Sequence, residues 1–158
     1  MQGEPEQVAR LLRDKGYTIS CAESCTGGLL TSCLTDVPGS SAYMAGAVVT
    51  YTDACKERFA KVRKETLQRH GAVSRETACE MAEGIRETMG TDLGVSVTGV
   101  AGPDGDGSGK PLGLVYISVS GSQGTFVTEN RFAGDRRHVK EQSVEKALLM
   151  LADYLGNC

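Results

Sequence analysis

The chain lacks a basic excess: 17 Lys and Arg stand against 20 Asp and Glu, for a net charge of −3. Nothing is left over to neutralise a phosphate backbone, which argues against non-specific nucleic-acid binding. No apolar run approaches the ~20 residues of a membrane span. No two cysteines form a CxxC pair, and the six thiols sit at Cys21, Cys25, Cys33, Cys55, Cys79 and Cys158, most of them inside apolar periodic segments. With no signal peptide in view, they are expected to be reduced, mostly buried thiols of a cytoplasmic protein. Histidine is scarce too. His70 and His138 do not cluster with cysteine pairs, which excludes the usual zinc constellations. Tryptophan is absent, but the rest is ordinary, 40% hydrophobic and 23% charged, without internal repeats or low-complexity segments. A length of 158 residues predicts one domain over 1–158 with a real core.

Periodicity then divides the chain. Val8, Leu11 and Leu12 make 5–15 an amphipathic helix that stops at Gly16. A strand at about 18–23 and a helix at about 26–35 follow, then turn chemistry at 36–41. The run AGAVVTY (45–51) is small and β-branched and reads as a second, largely buried strand. Thr52 or Asp53 caps a short helix through Lys56 and Phe59; a second short helix ends near Gly71; Ser74 caps a longer one that ends at Gly90. LGVSVT (93–98) is a third strand. The runs 114–120 and 124–132 form a hairpin, and a final helix covers about 135–154. Strands separated by helices pair in parallel through right-handed crossovers, and the hairpin adds antiparallel pairing. The expected fold is α/β: three α/β/α layers around a mixed, mostly parallel five-stranded sheet.

The stretch 18–28, TISCAESCTGG, is where chemistry is expected. A strand carrying Ile19 and Cys21 gives way at Glu23-Ser24-Cys25-Thr26-Gly27-Gly28 to a helix carrying Leu29, Leu30, Cys33 and Leu34. Such a junction offers backbone N–H groups at the positive end of a helix dipole, suited to anions and developing oxyanions. Ser24 is the candidate nucleophile; the plainer alternative is that Ser24 or Thr26 only caps the helix. Cys25 competes, since a thiol at a helix N-terminus is acidified, but no histidine partners it.

A serine needs a base. His70 ends a short helix, a common structural place for a cation, and His138 lies among Arg136, Arg137 and Lys140, so neither is well placed. Lys56 follows the second strand by one helical turn. If strands one and two are adjacent and parallel, Ser24 and Tyr51 both lie at carboxyl ends, where open α/β sheets bind ligands. Bringing a lysine pKa from ~10.4 to ~7.5 costs about 4 kcal/mol. Burial and the helix dipole lower it, whereas Glu23 and Asp53 raise it unless they point elsewhere or are satisfied by backbone N–H groups. Otherwise Lys56 is a solvated surface charge. The glycine-rich loop beginning Thr98-Gly99-Val100-Ala101-Gly102 either offers backbone N–H groups to a ligand or is a plain connection. Arg136 is a candidate phosphate clamp, with an Asp135 cap and exposed basic residues as the alternative.

Several motifs stand together in order and spacing: AESCTGG (22–28), GAVVTY leading to Tyr51 and then Lys56, HGAVS (70–74), TGVAGPDG (98–105), KPLGLVYI (110–117) and FAGDR (132–136). Over nearly the whole chain they resemble the C-terminal domain of the CinA, or competence/damage-inducible, family of nicotinamide-nucleotide amidohydrolases. The resemblance implies hydrolysis of nicotinamide mononucleotide to nicotinate mononucleotide and ammonia by a serine–lysine mechanism. Position by position it implies Ser24 as nucleophile, Lys56 as base and Tyr51 as a hydroxyl that assists proton transfer. Glu23, Thr26, Gly27 and Gly28 fall in the substrate-binding turn, whose N–H groups would hold the oxyanion. Thr98, Gly99 and Gly102 match the substrate-side loop, and Arg136 the arginine near the ligand. It implies no metal or other cofactor, a small-molecule substrate and a homodimer, to which the acidic balance and the lack of an apolar span add neither nucleic acid nor membrane as partner. One departure is Asp53, where many relatives carry Asn. A catalytically silent nucleotide-binding module and a partner-binding domain in DNA uptake or repair are the alternatives.

Overall fold

A computed structural model describes residues 5–158. Over these residues helix α1 (Pro5–Lys15) buries Val8, Ala9 and Leu12 and ends at Gly16, whose φ of 66° turns the chain into β1 (Ile19–Glu23). Helix α2 (Leu29–Thr35) leads through one 3₁₀ turn, Ser40–Ala42, to β2 (Met44–Val49). Three helices follow, α3 (Asp53–Ala60), α4 (Lys64–His70) and α5 (Arg75–Met89), then β3 (Leu93–Gly99), the hairpin β4 (Leu114–Gly121) and β5 (Gly124–Arg131), and α6 (Arg136–Gly156).

The sheet order is β2-β1-β3-β4-β5. β1 pairs in parallel with β2 and β3, while β4 is antiparallel to both neighbours, so four strands share one direction and β4 alone is reversed. This is the mixed, mostly parallel sheet expected of the sequence. Central β1 is buried at all five positions, the signature of a strand covered on both faces. On one face Leu12, Leu30, Leu34, Leu148 and Leu151 of α1, α2 and α6 pack with Ile19, Val95 and Ile117. Burying each such side chain stabilises the fold by about 1.5–3 kcal/mol. On the other face Ala60, Leu67, Met81 and Ile85 of α3–α5 pack with Ala22.

The caps read from sequence hold: Thr52 accepts from Cys55 N, Ser74 from Thr77 N and Asp135 from His138 N. Three expectations need correction. α2 begins at Leu29, not near 26, because Gly27 and Gly28 have φ of 62° and 102° and cannot belong to a right-handed helix. β2 is an edge strand, with Ala45 and Val49 exposed, so its small β-branched run reflects a half-covered edge and not deep burial. Of the six free cysteines only Cys21 and Cys25 are buried; Cys33, Cys55 and Cys79 are half-buried and Cys158 is exposed.

The crossover β1–α2–β2 lies on one face and β2–α3–α4–α5–β3 on the other, as the two cores show. Loops leaving the carboxyl ends of β1 and β3 therefore diverge, and they leave a crevice at that edge of the sheet.

Candidate active site

β1 continues its ladder one residue past its end, where Ser24 N donates to Val97 O at 2.9 Å, and this fixes the Ser24 backbone between the central strands. The chain then reverses: Gly27 N donates to Ser24 O at 3.0 Å and Leu29 N to Thr26 O at 3.1 Å. A left-handed Gly27-Gly28 pair makes that reversal possible.

Lys56 reaches the same point from β2. Thr52 caps α3, so Lys56 falls in its first full turn and its side chain folds back over the strand end. Its Nζ lies 3.1 Å from Ser24 Oγ and donates to Thr50 O at 2.6 Å. α3 itself is pressed on α5, where a Cβ at Gly84 would sit 1.7 Å from Ala60 O, so only glycine permits this approach. Lys56 is 1% exposed and Ser24 8%. A lone buried amine favours its neutral form, and burial lowers the Lys56 pKa from the ordinary 10.5, against an opposing pull from Asp53.

The second carboxylate that threatened this lysine is spent elsewhere. Glu23 Oε1 accepts from Thr26 Oγ1 at 2.7 Å and Leu30 N at 2.9 Å, and Oε2 accepts from Thr31 N at 2.9 Å and Thr31 Oγ1 at 2.5 Å. Glu23 thus closes the open N-terminus of α2, which has no side-chain cap at Gly28.

Ser24 and Lys56 open into a cavity of about 270 Å³ together with Cys25, Tyr51 and Arg136. Thr98, Gly99 and Gly102 line it from the β3 side. The Thr98 hydroxyl donates to Ala72 O at 2.7 Å, and a Cβ at Gly99 would lie 2.6 Å from Val115 Cγ2. Arg136 spans the mouth, with Nη1 donating to Gly102 O at 2.7 Å and Nη2 to Tyr51 Oη at 2.9 Å.

The structure therefore brings together Ser24, Tyr51, Lys56, Thr98, Gly99, Gly102 and Arg136. Glu23, Thr26, Gly27 and Gly28 stand behind the cavity wall, where they shape the turn that presents Ser24. The Gly27 N–H expected to hold an oxyanion is already bonded to Ser24 O. Cys25 lines the cavity, but its thiol is pushed up to about 12, first by burial, so desolvation overrides the opposing pull of its own backbone N–H and of Lys56 and Arg136. His70 and His138 lie outside the cavity, beside Glu76 and Asp135.

Sequence reading missed Thr50, whose contribution is a backbone carbonyl, and Ala72 and Val73, which only the packing of the α4–α5 junction brings here. Asp104 and Asp106 also line the cavity and were hidden within a loop of glycines. Among the described residues no group of three or more His, Cys, Asp or Glu could share a metal ion, and no helix is long and apolar enough to cross a membrane.

Comparison with known proteins places these features in a lineage. The sequence model of the family described as CinA C-terminal domain matches residues 2–155. A CinA-like protein of Syntrophotalea carbinolica is 45% identical over 150 residues, 95% of this chain and 36% of the relative. Among solved structures, a competence-damaged protein (CinA) superfamily protein of Klebsiella pneumoniae superposes with a TM-score of 0.94 at 35% identity, covering 98% of this chain and 96% of that one. A competence/damage inducible protein of Agrobacterium tumefaciens gives 0.89 at 38%, with coverage of 98% and 96%. The chain spans about 36% of the length of the curated relatives it matches.

Proposed function

The chain belongs to the CinA C-terminal domain family, and from that premise we propose that it is an amidohydrolase that converts nicotinamide mononucleotide and water to nicotinate mononucleotide and ammonia. The observation that carries this reading is the 3.1 Å contact between Lys56 Nζ and Ser24 Oγ inside a buried crevice. The substrate comes from the resemblance of the motifs; the geometry supplies the means.

In the uncharged amine, one N–H donates to Thr50 O and the lone pair is free to take the Ser24 proton. Ser24 Oγ attacks the carboxamide carbon. The C–N bond then breaks, the proton passes from Lys56 to the leaving nitrogen, and ammonia departs. Water repeats the sequence on the acyl-enzyme, giving up its proton to Lys56, and the C–O bond to Ser24 breaks with the proton returned to the serine. The cationic pyridinium of the substrate makes its amide more electrophilic. The same resemblance carries a homodimer as the assembly, which sedimentation of the purified chain checks, a monomer being the contrary result.

Ammonia release from nicotinamide mononucleotide is the test. The wild-type chain is expected to turn over, with Ser24→Ala and Lys56→Met each reduced by about 10³-fold or more. Nucleotide binding without ammonia, with Ser24→Ala indistinguishable from wild type, would overturn the reading in favour of a silent binding module; ammonia released equally by wild type and Ser24→Ala would overturn the serine–lysine mechanism.

A further inference from the structure

Arg136 invites the role of a phosphate clamp, yet both of its terminal nitrogens are already engaged. Nη1 donates to Gly102 O at 2.7 Å and Nη2 to Tyr51 Oη at 2.9 Å. These two bonds commit two of the five N–H donors of the guanidinium and fix its direction, so a phosphate meets only the three that remain. Resting on the amidohydrolase reading, we propose that Arg136 is a positioning residue that acts through Tyr51, holding the phenol so that its O–H is offered to the reacting carboxamide.

Three features lead there. Tyr51 is 55% exposed, two residues beyond the end of β2 and just before the cap of α3, and it belongs to none of the hydrophobic clusters. Left alone, an exposed side chain hops between rotamers in picoseconds to nanoseconds. Its phenol oxygen is tied down by the Arg136 guanidinium. A guanidinium has five N–H donors and no lone pair, so in this contact Tyr51 Oη can only accept. One oxygen lone pair is then committed to Arg136, and the phenol O–H remains available on the side that lines the cavity with Ser24 and Lys56.

Arg136 is itself well anchored. Asp135 caps α6 by accepting from His138 N at 2.9 Å, so Arg136 is the first residue of a 21-residue helix, and the Gly102 carbonyl fixes the other end of its fork. One side chain thereby ties together the start of α6, the loop after β3 and the residue that follows β2. The phenol donates a hydrogen bond to the carboxamide as it becomes tetrahedral. No proton leaves Tyr51, since the leaving nitrogen takes the one that Lys56 removed from Ser24.

The test compares wild type, Arg136→Met, Tyr51→Phe and the double variant on nicotinamide mononucleotide and on its dephosphorylated riboside. If Arg136 acts through Tyr51, Arg136→Met lowers kcat by about tenfold or more. The factor is the same on both substrates, and the double variant falls within about twofold of Tyr51→Phe, as expected of coupled residues. A rise in KM confined to the phosphorylated substrate, with kcat intact and the two variants multiplying, overturns the proposal and returns Arg136 to a clamp. Carbon-13 relaxation of labelled tyrosine rings gives a readout without turnover. The Tyr51 ring is ordered in wild type and loses that order in Arg136→Met, and an unchanged ring contradicts the proposal. Should wild type release no ammonia, the amidohydrolase assignment falls by itself, and ring order still decides whether Arg136 holds Tyr51.

Discussion

Two glycine-bearing turns meet at one edge of the sheet and are built in opposite ways. The turn after β1 is short and buried, and its polar groups are spent on each other: Ser24 N on β3, Gly27 N on Ser24 O, and both Glu23 oxygens on the start of α2. The loop after β3 runs from Val100 to Gly113, is largely exposed from Pro103 to Leu112, and is held at its far end by Lys110, whose Nζ donates to His70 O at 2.8 Å and to Val73 O. A nucleophile needs a fixed position, because an error of an ångström removes an attacking oxygen from its range. A loop anchored only near its ends keeps its exposed middle free to adapt. The first turn is therefore over-determined and the second is tethered at its ends.

Breaking the rigid side should produce the largest effect. Glu23→Gln replaces two acceptor pairs with one and turns an amide N–H₂ towards donors it cannot satisfy, at a cost of about 2–4 kcal/mol. For a chain of this size the melting temperature should fall by on the order of 10 °C. A fall under about 2 °C would show that the carboxylate is not what holds the turn.

Loosening the tethered side should act on binding and not on the fold. Lys110→Met removes both carbonyl contacts of a partly exposed ammonium, worth about 1 kcal/mol after solvent screening, which is about a fivefold rise in KM. The expected kcat and melting temperature stay close to wild type. A lowered kcat at unchanged KM would mean that the loop reaches the reacting atoms directly.

The smallest effect sharpens the comparison at Lys56, which lies between the two regions. Burial lowers its pKa and Asp53 opposes that shift. In the proposed mechanism Lys56 acts uncharged, which predicts that kcat/KM rises with pH as Lys56 loses its proton and levels off below the ordinary 10.5. Asp53→Asn removes the charge that favours the ammonium, and the rising limb should move to lower pH. The movement is modest because Asp53 is exposed and water screens it. A limb displaced to higher pH would contradict the assignment of Lys56 as the titrating base.

How much of this was legible in the sequence follows from what each residue does locally. Ser24 at a strand-to-helix junction and Lys56 one turn beyond Thr52 could be read because strand ends and caps leave short-range signatures. The parallel adjacency of β1 and β2 was conditional in the sequence and is now fixed by the pairing of Glu23 with Val49. For Glu23 the sequence left open whether the carboxylate faces the ligand or is satisfied by backbone N–H groups, and the bonds to Leu30 N and Thr31 N show it closing the start of α2, because spacing cannot say to which side of a strand end a carboxylate turns. Thr50 was invisible because it acts through its main chain, and Ala72, Val73, Asp104 and Asp106 because tertiary packing alone brings them to the cavity. The exposure of β2 was missed for a related reason: a β-branched run looks the same at an edge as in the middle of a sheet.

The most direct measurement is mass spectrometry of the chain quenched during turnover of nicotinamide mononucleotide. The account predicts an acyl adduct equal in mass to the substrate less ammonia on the peptide that holds Ser24, borne by the serine and absent from Ser24→Ala. Ammonia accumulating with Ser24 never modified, or the adduct found on Cys25, would contradict it.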